Sequence, residues 1–177
     1  MVDRVSFSEQ ELNLDAIAFH HENLQAALFE FFSGSSASLL SRFSLESVDK
    51  ARDNSLDELD FSSSMSVMAA LEAAIRVDYL SRVYERRKDA LSRSMRDLYR
   101  EKANKAKLDR DILPRWAADT TVSASLVQQV TSAFKYRHWL AHGRYWTPKF
   151  GKEYDYDTLY AIADEFIEAM DQYAVST

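Results

Sequence analysis

The chain has 177 residues, a length that suits one domain over 1–177, and 46% of them are hydrophobic, enough to bury a core. It contains no cysteine, which excludes disulfides, thiolate zinc sites and a cysteine nucleophile and fits a reducing, cytoplasmic compartment. Three glycines and two prolines are too few turn residues for tight hairpins, and a formal charge of −6 argues against a simple nucleic-acid binder. The composition predicts an all-α fold, an antiparallel helical bundle.

No apolar run approaches the ~20 residues of a membrane-spanning helix, and "MVDRVSFSEQELNLD" has no apolar core of signal-peptide length. The expectation is therefore a soluble protein with no membrane partner. The charge is uneven. Residues 1–62 carry 4 basic and 12 acidic groups, and residues 76–115 carry 13 basic and 7 acidic ones. Residues 135–152 carry 5 basic groups and no acidic ones, whereas residues 153–177 carry 7 acidic and no basic ones. Phosphate responds to the local field, so an acidic protein can still hold a basic cleft. Taken alone, a basic helical run is more often a solvated face.

The first helix is expected to start at Ser8, which with Glu11 forms a capping box. Its apolar stripe is Leu14, Ile17, Leu24, Leu28 and Phe31, with His21 in the gap, and it should stop near 33–36. Residues 33–66 are rich in serine and acids. They read as a long, mobile connection with one or two short helices, one of them "ASLLSRF" over 37–43. A long helix should follow, capped by Ser63 or Ser64, with Met68, Leu71, Ile75, Tyr79 and Val83 at helical spacing and a break near 87–90. Asp109 to Trp116 suggests a short helix with Pro114 in its first turn. The next helix should start at Thr120 or Thr121, carry Leu126, Val130, Ala133 and Leu140 as its stripe, and end at Gly143. The last helix follows "DYD", with Leu159, Ile162, Phe166, Met170 and Tyr173 on one face. The sum is four main helices plus short ones, with no fixed-period repeat.

The stretch "KYRHWLAHGRYW", residues 135–146, crowds Arg137, His138, His142 and Arg144 around a helix end. With Leu126 at zero on a wheel of ~100° per residue, Arg137 falls at about 20°, in the middle of the apolar stripe. A guanidinium there must be paired or it is costly to desolvate. It either forms a structural ion pair, for instance with Glu72 or Asp78, or serves a site that needs a fixed charge. His138 and His142 share a face and could hold a metal, but no cysteine exists and Trp139 stands where a zinc protease needs glutamate, so no metal is expected. His21 reads as a core histidine with a satisfied ring nitrogen, and His20 as exposed.

Arg137, four intervening residues and His142 at a helix end, with polar His138 directly after the arginine, resemble the signature of the HEPN domain family. "YRHWLAHGRYW" and the earlier "LEAAIRVDYLSR" and "RRKDALSRSMR" are similar to a bacterial subgroup, the RiboL-PSP-HEPN type. The resemblance covers the last two thirds of the chain and leaves residues 1–60 unmatched. It implies an all-α bundle that cleaves RNA without metal or other cofactor, by attack of the 2′-hydroxyl on the neighbouring phosphate. Histidine suits either proton transfer near neutral pH, and a rigid arginine fork suits the charge that builds on phosphorus. The resemblance casts His142 as acid or base, Arg137 as stabiliser of the transition state, and His138 as a group that orients them or shares the proton transfer. Arg144, Tyr145 and Trp146 could hold a phosphate and stack a base, or simply pack the loop. Glu72, Arg76 and Asp78 are candidates to support the site from the long helix.

On the wheel His142 lies about 140° from Arg137, so the two would not meet on an ideal helix. Either the last turn unwinds before Gly143, or a second copy supplies another pair. The resemblance implies the latter, a homodimer with a shared cleft. It also implies a toxin or anti-phage defence role, with RNA as target and a cognate antitoxin protein as partner. The alternative is a non-catalytic interaction or regulatory module. A nucleotidyl-transfer role lacks its glycine-rich phosphate loop.

Overall fold

The structure, a computed structural model, describes residues 4–34, 41–43 and 47–177. Helix α1, Leu14–Ser33, starts later than Ser8. Asn13 caps it, its Oδ1 accepting from the amides of Asp15 (2.8 Å) and Ala16 (3.4 Å). Ser8 instead closes a local turn by accepting from the Gln10 amide, and Glu9 sits at φ +56°, off the helical path. The residues before α1 lie along the next long helix: the Val5 amide donates to the Tyr84 hydroxyl and the Phe7 ring packs on Tyr84. The expected stripe of α1 is only partly inward. Ile17 and His21 are buried, but Leu24 and Phe31 are exposed and Phe32 is buried in their place.

Helix α2 is 37 residues long, Val48–Tyr84, and is capped by Ser47. Residues 48–66 are therefore helix, not connection, and Ser63 and Ser64 are buried inside it rather than capping it. The serines fit because their hydroxyls bond back to the preceding turn: Ser55 to the Ala51 carbonyl, Ser62 to Leu59 and Ser66 to Ser62. Small side chains also let α1 approach. His21 is stacked on Tyr156 at 3.8 Å and its Nδ1 is 2.9 Å from the Ser63 hydroxyl, so the expected core histidine is satisfied. Of the short helix expected over 37–43, residues 37–40 lie outside the described residues.

The break expected near 87–90 is present. α2 ends at Tyr84, Arg86 takes φ +56°, and α3, Ala90–Lys102, starts on an Asp89 cap. A 3-10 turn, Ala103–Lys105, and a π turn, Leu108–Ile112, lead into α4, Leu113–Asp119, with Pro114 in its first turn. Helix α5 is Ala124–Ala141. It does not begin at Thr120, whose hydroxyl bonds the Trp116 carbonyl (2.6 Å) and accepts the Val122 amide (3.0 Å), closing α4 instead. Helix α6, Tyr156–Ser176, starts on Asp155, and all five residues of its expected stripe are buried.

The fold is an all-α bundle, with no strand among the described residues and with α1, α2, α5 and α6 as the four long helices. α2 is the axis, packed against α1, α3, α5 and α6. Leu71, Ile75, Met95, Leu113, Trp116, Val130, Leu159 and Phe166 are fully buried around it. No helix is long and apolar enough to cross a membrane among the described residues. At the α2–α3 corner Arg82 is wholly buried. Its Nε donates to both Asp78 oxygens (2.9 and 2.8 Å), Nη1 reaches Asp89, and the guanidinium lies over Trp116 and Tyr173.

Three carboxyls at element ends lie below the usual carboxylate range. Asp155 is lowered by the Thr158 hydroxyl and amide, and Asp111 by Lys102 and the Lys107 amide. At Asp89 burial pushes up, but the Ser92 bonds and Arg82 outweigh it. A depressed folded-state pKa stabilises above the ordinary carboxylate range and is lost as pH falls through it. Thermal melts followed by circular dichroism should show the melting temperature falling as pH drops below about 4. Asp155→Ala should lower stability by about 1 kcal/mol at neutral pH and flatten part of that fall.

Candidate active site

Helix α5 carries the site at its C-terminal end, and the way the helix stops fixes what faces what. It stays regular to Ala141, so it does not unwind before His142. His142 is the last near-helical residue (φ −98°, ψ 19°), and Gly143 takes φ +73°, where glycine is favoured. The Gly143 amide then bonds the Leu140 carbonyl and the Arg144 amide the Trp139 carbonyl, both at 3.1 Å, a Schellman closure. The Trp139 indole donates to the Trp146 carbonyl at 2.8 Å and folds the following segment back along the helix. That return sets the Trp146 ring 6.1 Å from His138.

Arg137 faces α2 as its wheel position demands. Its Nη2 is 3.5 Å from Glu72 Oε2, and its Nε is buried with no partner among the described residues. The side chain is still 35% exposed. Glu72 also accepts from Arg76 Nε at 2.9 Å, so one carboxylate joins two guanidinium groups. Of the two acids expected to pair with Arg137, Glu72 does so and Asp78 does not. Asp78 lies about 120° round α2 from Glu72 and serves Arg82.

These groups open onto a cleft of about 690 Å³. Its walls carry Arg76, Lys107, Arg110, Lys135, Arg137 and Lys149 against two acids, Glu72 and Asp109, with His138, Phe134 and Trp146 among them. The two basic segments of the sequence, far apart in the chain, meet here. Arg110 comes from the π turn and Lys107 from the residue just before it, where Asp111 accepts the Lys107 amide (2.8 Å) and the Lys102 ammonium. Sequence reading missed Lys107, Arg110, Lys135 and Lys149 as site residues. Their signal was the local excess of charge in 76–115 and 135–152, and only the fold shows which of those cations converge.

Within one chain it is His138, not His142, that shares the cleft wall with Arg137. His142 stands one turn on, its ring centroid 4.2 Å from that of His138. The structure thus brings the two imidazoles together and sets one of them in the same cleft as the arginine. Arg144 does not line the cleft. Its Nη2 is held by Glu58 at 2.6 Å and its guanidinium lies 4.2 Å over the Phe61 ring, which ties the loop to α2. Tyr145 is 81% exposed, with its ring edge-on to Trp146. Of the three residues expected to hold substrate, Trp146 alone faces the cleft. Among the described residues no three metal-binding side chains cluster, so His138 and His142 have no third donor. Comparison with known proteins adds no relative: no family model, curated protein or solved structure matches the chain.

Proposed function

We propose that the protein is a metal-independent endoribonuclease that acts as a homodimer. The observation that supports this best is the cleft itself: a half-open arginine and a paired imidazole stand with five further cations. Phosphodiester oxygens are drawn there by the field, and Arg137 can present its fork to the charge that builds on phosphorus. One imidazole takes the proton from the RNA 2′-hydroxyl, whose oxygen bonds to phosphorus. The bond from phosphorus to the 5′-oxygen breaks, and a protonated imidazole gives that oxygen a proton. The products are a 2′,3′-cyclic phosphate and a 5′-hydroxyl. The His138–His142 contact lets one pair of rings divide the two proton transfers. A second copy placed across the cleft would bring another His142 to Arg137.

Action as a toxin or defence effector under an antitoxin rests on the HEPN resemblance alone. The interaction-module reading draws on one observation, that Arg137 is already compensated by Glu72 within the chain. The test is incubation of transfer and messenger RNA with the protein in chelator, with analysis of the new ends. Cleavage leaving cyclic phosphates, lost in His142→Ala and in His138→Ala, is the expected result. Unchanged cutting by His142→Ala removes its catalytic role, and no cutting by the native chain leaves the interaction module. Sedimentation at micromolar concentration should give a dimer.

A further inference from the structure

Outside the cleft, a second concave site of about 450 Å³ lies where the α2–α3 turn meets α3. Val83, Arg86, Arg96, Tyr99 and Arg100 line it, so three of its five side chains are guanidinium groups and none is acidic. Arg96 donates to the Arg87 carbonyl, and Arg100 is 2.6 Å from Asp97. No carboxylate pairs with Arg86 or Arg96 among the described residues. Arg86 also holds φ +56°, a conformation that suits glycine and strains any larger residue.

We propose that this pocket is a phosphate-holding exosite for the RNA strand that leaves the cleft. The identity of the ligand rests on the ribonuclease reading above. Three guanidinium forks match phosphate oxygens, and the half-buried Tyr99 ring, packed on Tyr79 and Tyr84, forms the apolar wall beside them. The two sites lie along one helix: Glu72 and Arg76 line the cleft and Val83 lines the pocket. Arg76, the cleft residue nearer the pocket, lies about 10 Å of helix axis from Val83, or about three nucleotides at the stacked spacing of ~3.4 Å. The chain between them carries exposed Lys105 in the 3-10 turn, which the Tyr79 hydroxyl pins to α2 through the Ala103 carbonyl at 3.2 Å. In chain order Lys107, Lys105, Arg100 and Arg96 run from the cleft to the pocket, with exposed Glu101 among them and the Lys102 ammonium held by Asp111. An acidic protein could be drawn to the same charge, but it has no need of a track that continues into the cleft.

The experiment uses fluorescent 2′-O-methyl oligoribonucleotides of 2 and 12 nucleotides, which lack the free 2′-hydroxyl and so cannot be cut. Binding is read by anisotropy at several salt concentrations for the native chain, Arg86→Gly and Arg100→Ala. Arg86→Gly removes a guanidinium and puts at that strained position the residue it favours, so a thermal melt should show the fold intact. The expected result is a loss of about tenfold in affinity for the 12-mer, with the salt slope reduced by about 0.7 for each phosphate contact removed. The dinucleotide, too short to span both sites, keeps its affinity. Equal 12-mer affinity and slope in all three proteins overturns the proposal, as does an equal loss for both lengths. Should the native chain cut no RNA while 12-mer binding still responds to Arg86→Gly, the ribonuclease reading fails and the exosite stands. Cutting by the native chain with 12-mer binding indifferent to Arg86→Gly removes the exosite alone.

Discussion

Arg137→Ala should lower RNA cleavage about 10²–10³-fold in kcat, the effect of removing one preorganised donor from a charge that develops only in the transition state. Three features make this a sharp test. Arg137 is half-open rather than buried, so its removal should leave the fold nearly intact. Glu72 keeps Arg76 at 2.9 Å, so the lost cation does not leave a naked carboxylate behind. The cleft keeps five other cations, so substrate attraction and KM should change little. Arg137→Lys should recover only a small part of the rate, because an ammonium cannot offer the planar fork. Glu72→Gln should act differently. It frees both guanidinium groups and makes the cleft more basic, so KM should fall, while the loosened Arg137 lowers kcat. Single-turnover cleavage of a labelled RNA in chelator separates these terms. Arg137→Ala cutting at the native rate would end the catalytic assignment.

The same wheel arithmetic that picked out Arg137 shows how far the sequence is legible. Helical period found the inward faces of α2, α5 and α6, and the polar break found the α2–α3 corner, because burial and turn chemistry are both local signals. It placed Arg137 against α2 and named Glu72 or Asp78 as its partner, of which the structure gives Glu72 at 3.5 Å and assigns Asp78 to Arg82. It failed where a local rule met a longer-range contact. Serine-rich 48–66 read as connection because serine favours turns, but back-bonded hydroxyls and the close approach of α1 keep it helical. Arg144 read as a phosphate ligand because Glu58, 86 positions away, is invisible to spacing. Arg82 carries a sequence signal of the same kind as Arg137. It lies on the same stripe as Ile75 and Tyr79, but the basic run after it made the segment look solvated.

That buried arginine carries the largest expected effect on stability. Arg82→Ala should destabilise the chain by about 3–5 kcal/mol, because it strands two carboxylates that have little access to water. Burial already pushes Asp78 above the ordinary carboxylate range, against the pull of its Arg82 bonds, and without the arginine only the weaker pull of Arg87 opposes it. Asp89 would lose a charge partner while still capping α3 through the Ser92 amide. The cation also lies 5.2 Å over Trp116 and 5.1 Å over Tyr173, so its loss opens a gap between α2, α4 and α6. Two variants separate charge from volume. Arg82→Met fills the space but leaves both acids unpaired, so it should remain strongly destabilised. Arg82→Met combined with Asp78→Asn and Asp89→Asn removes the stranded charges, and asparagine still caps a helix, so most of the loss should return. Urea unfolding gives each difference from the midpoint at constant slope. If Arg82→Ala unfolds at the native midpoint, Arg82 is not the keystone of the α2–α3 corner, and the corner must be held by Leu91, Met95 and Trp116 alone.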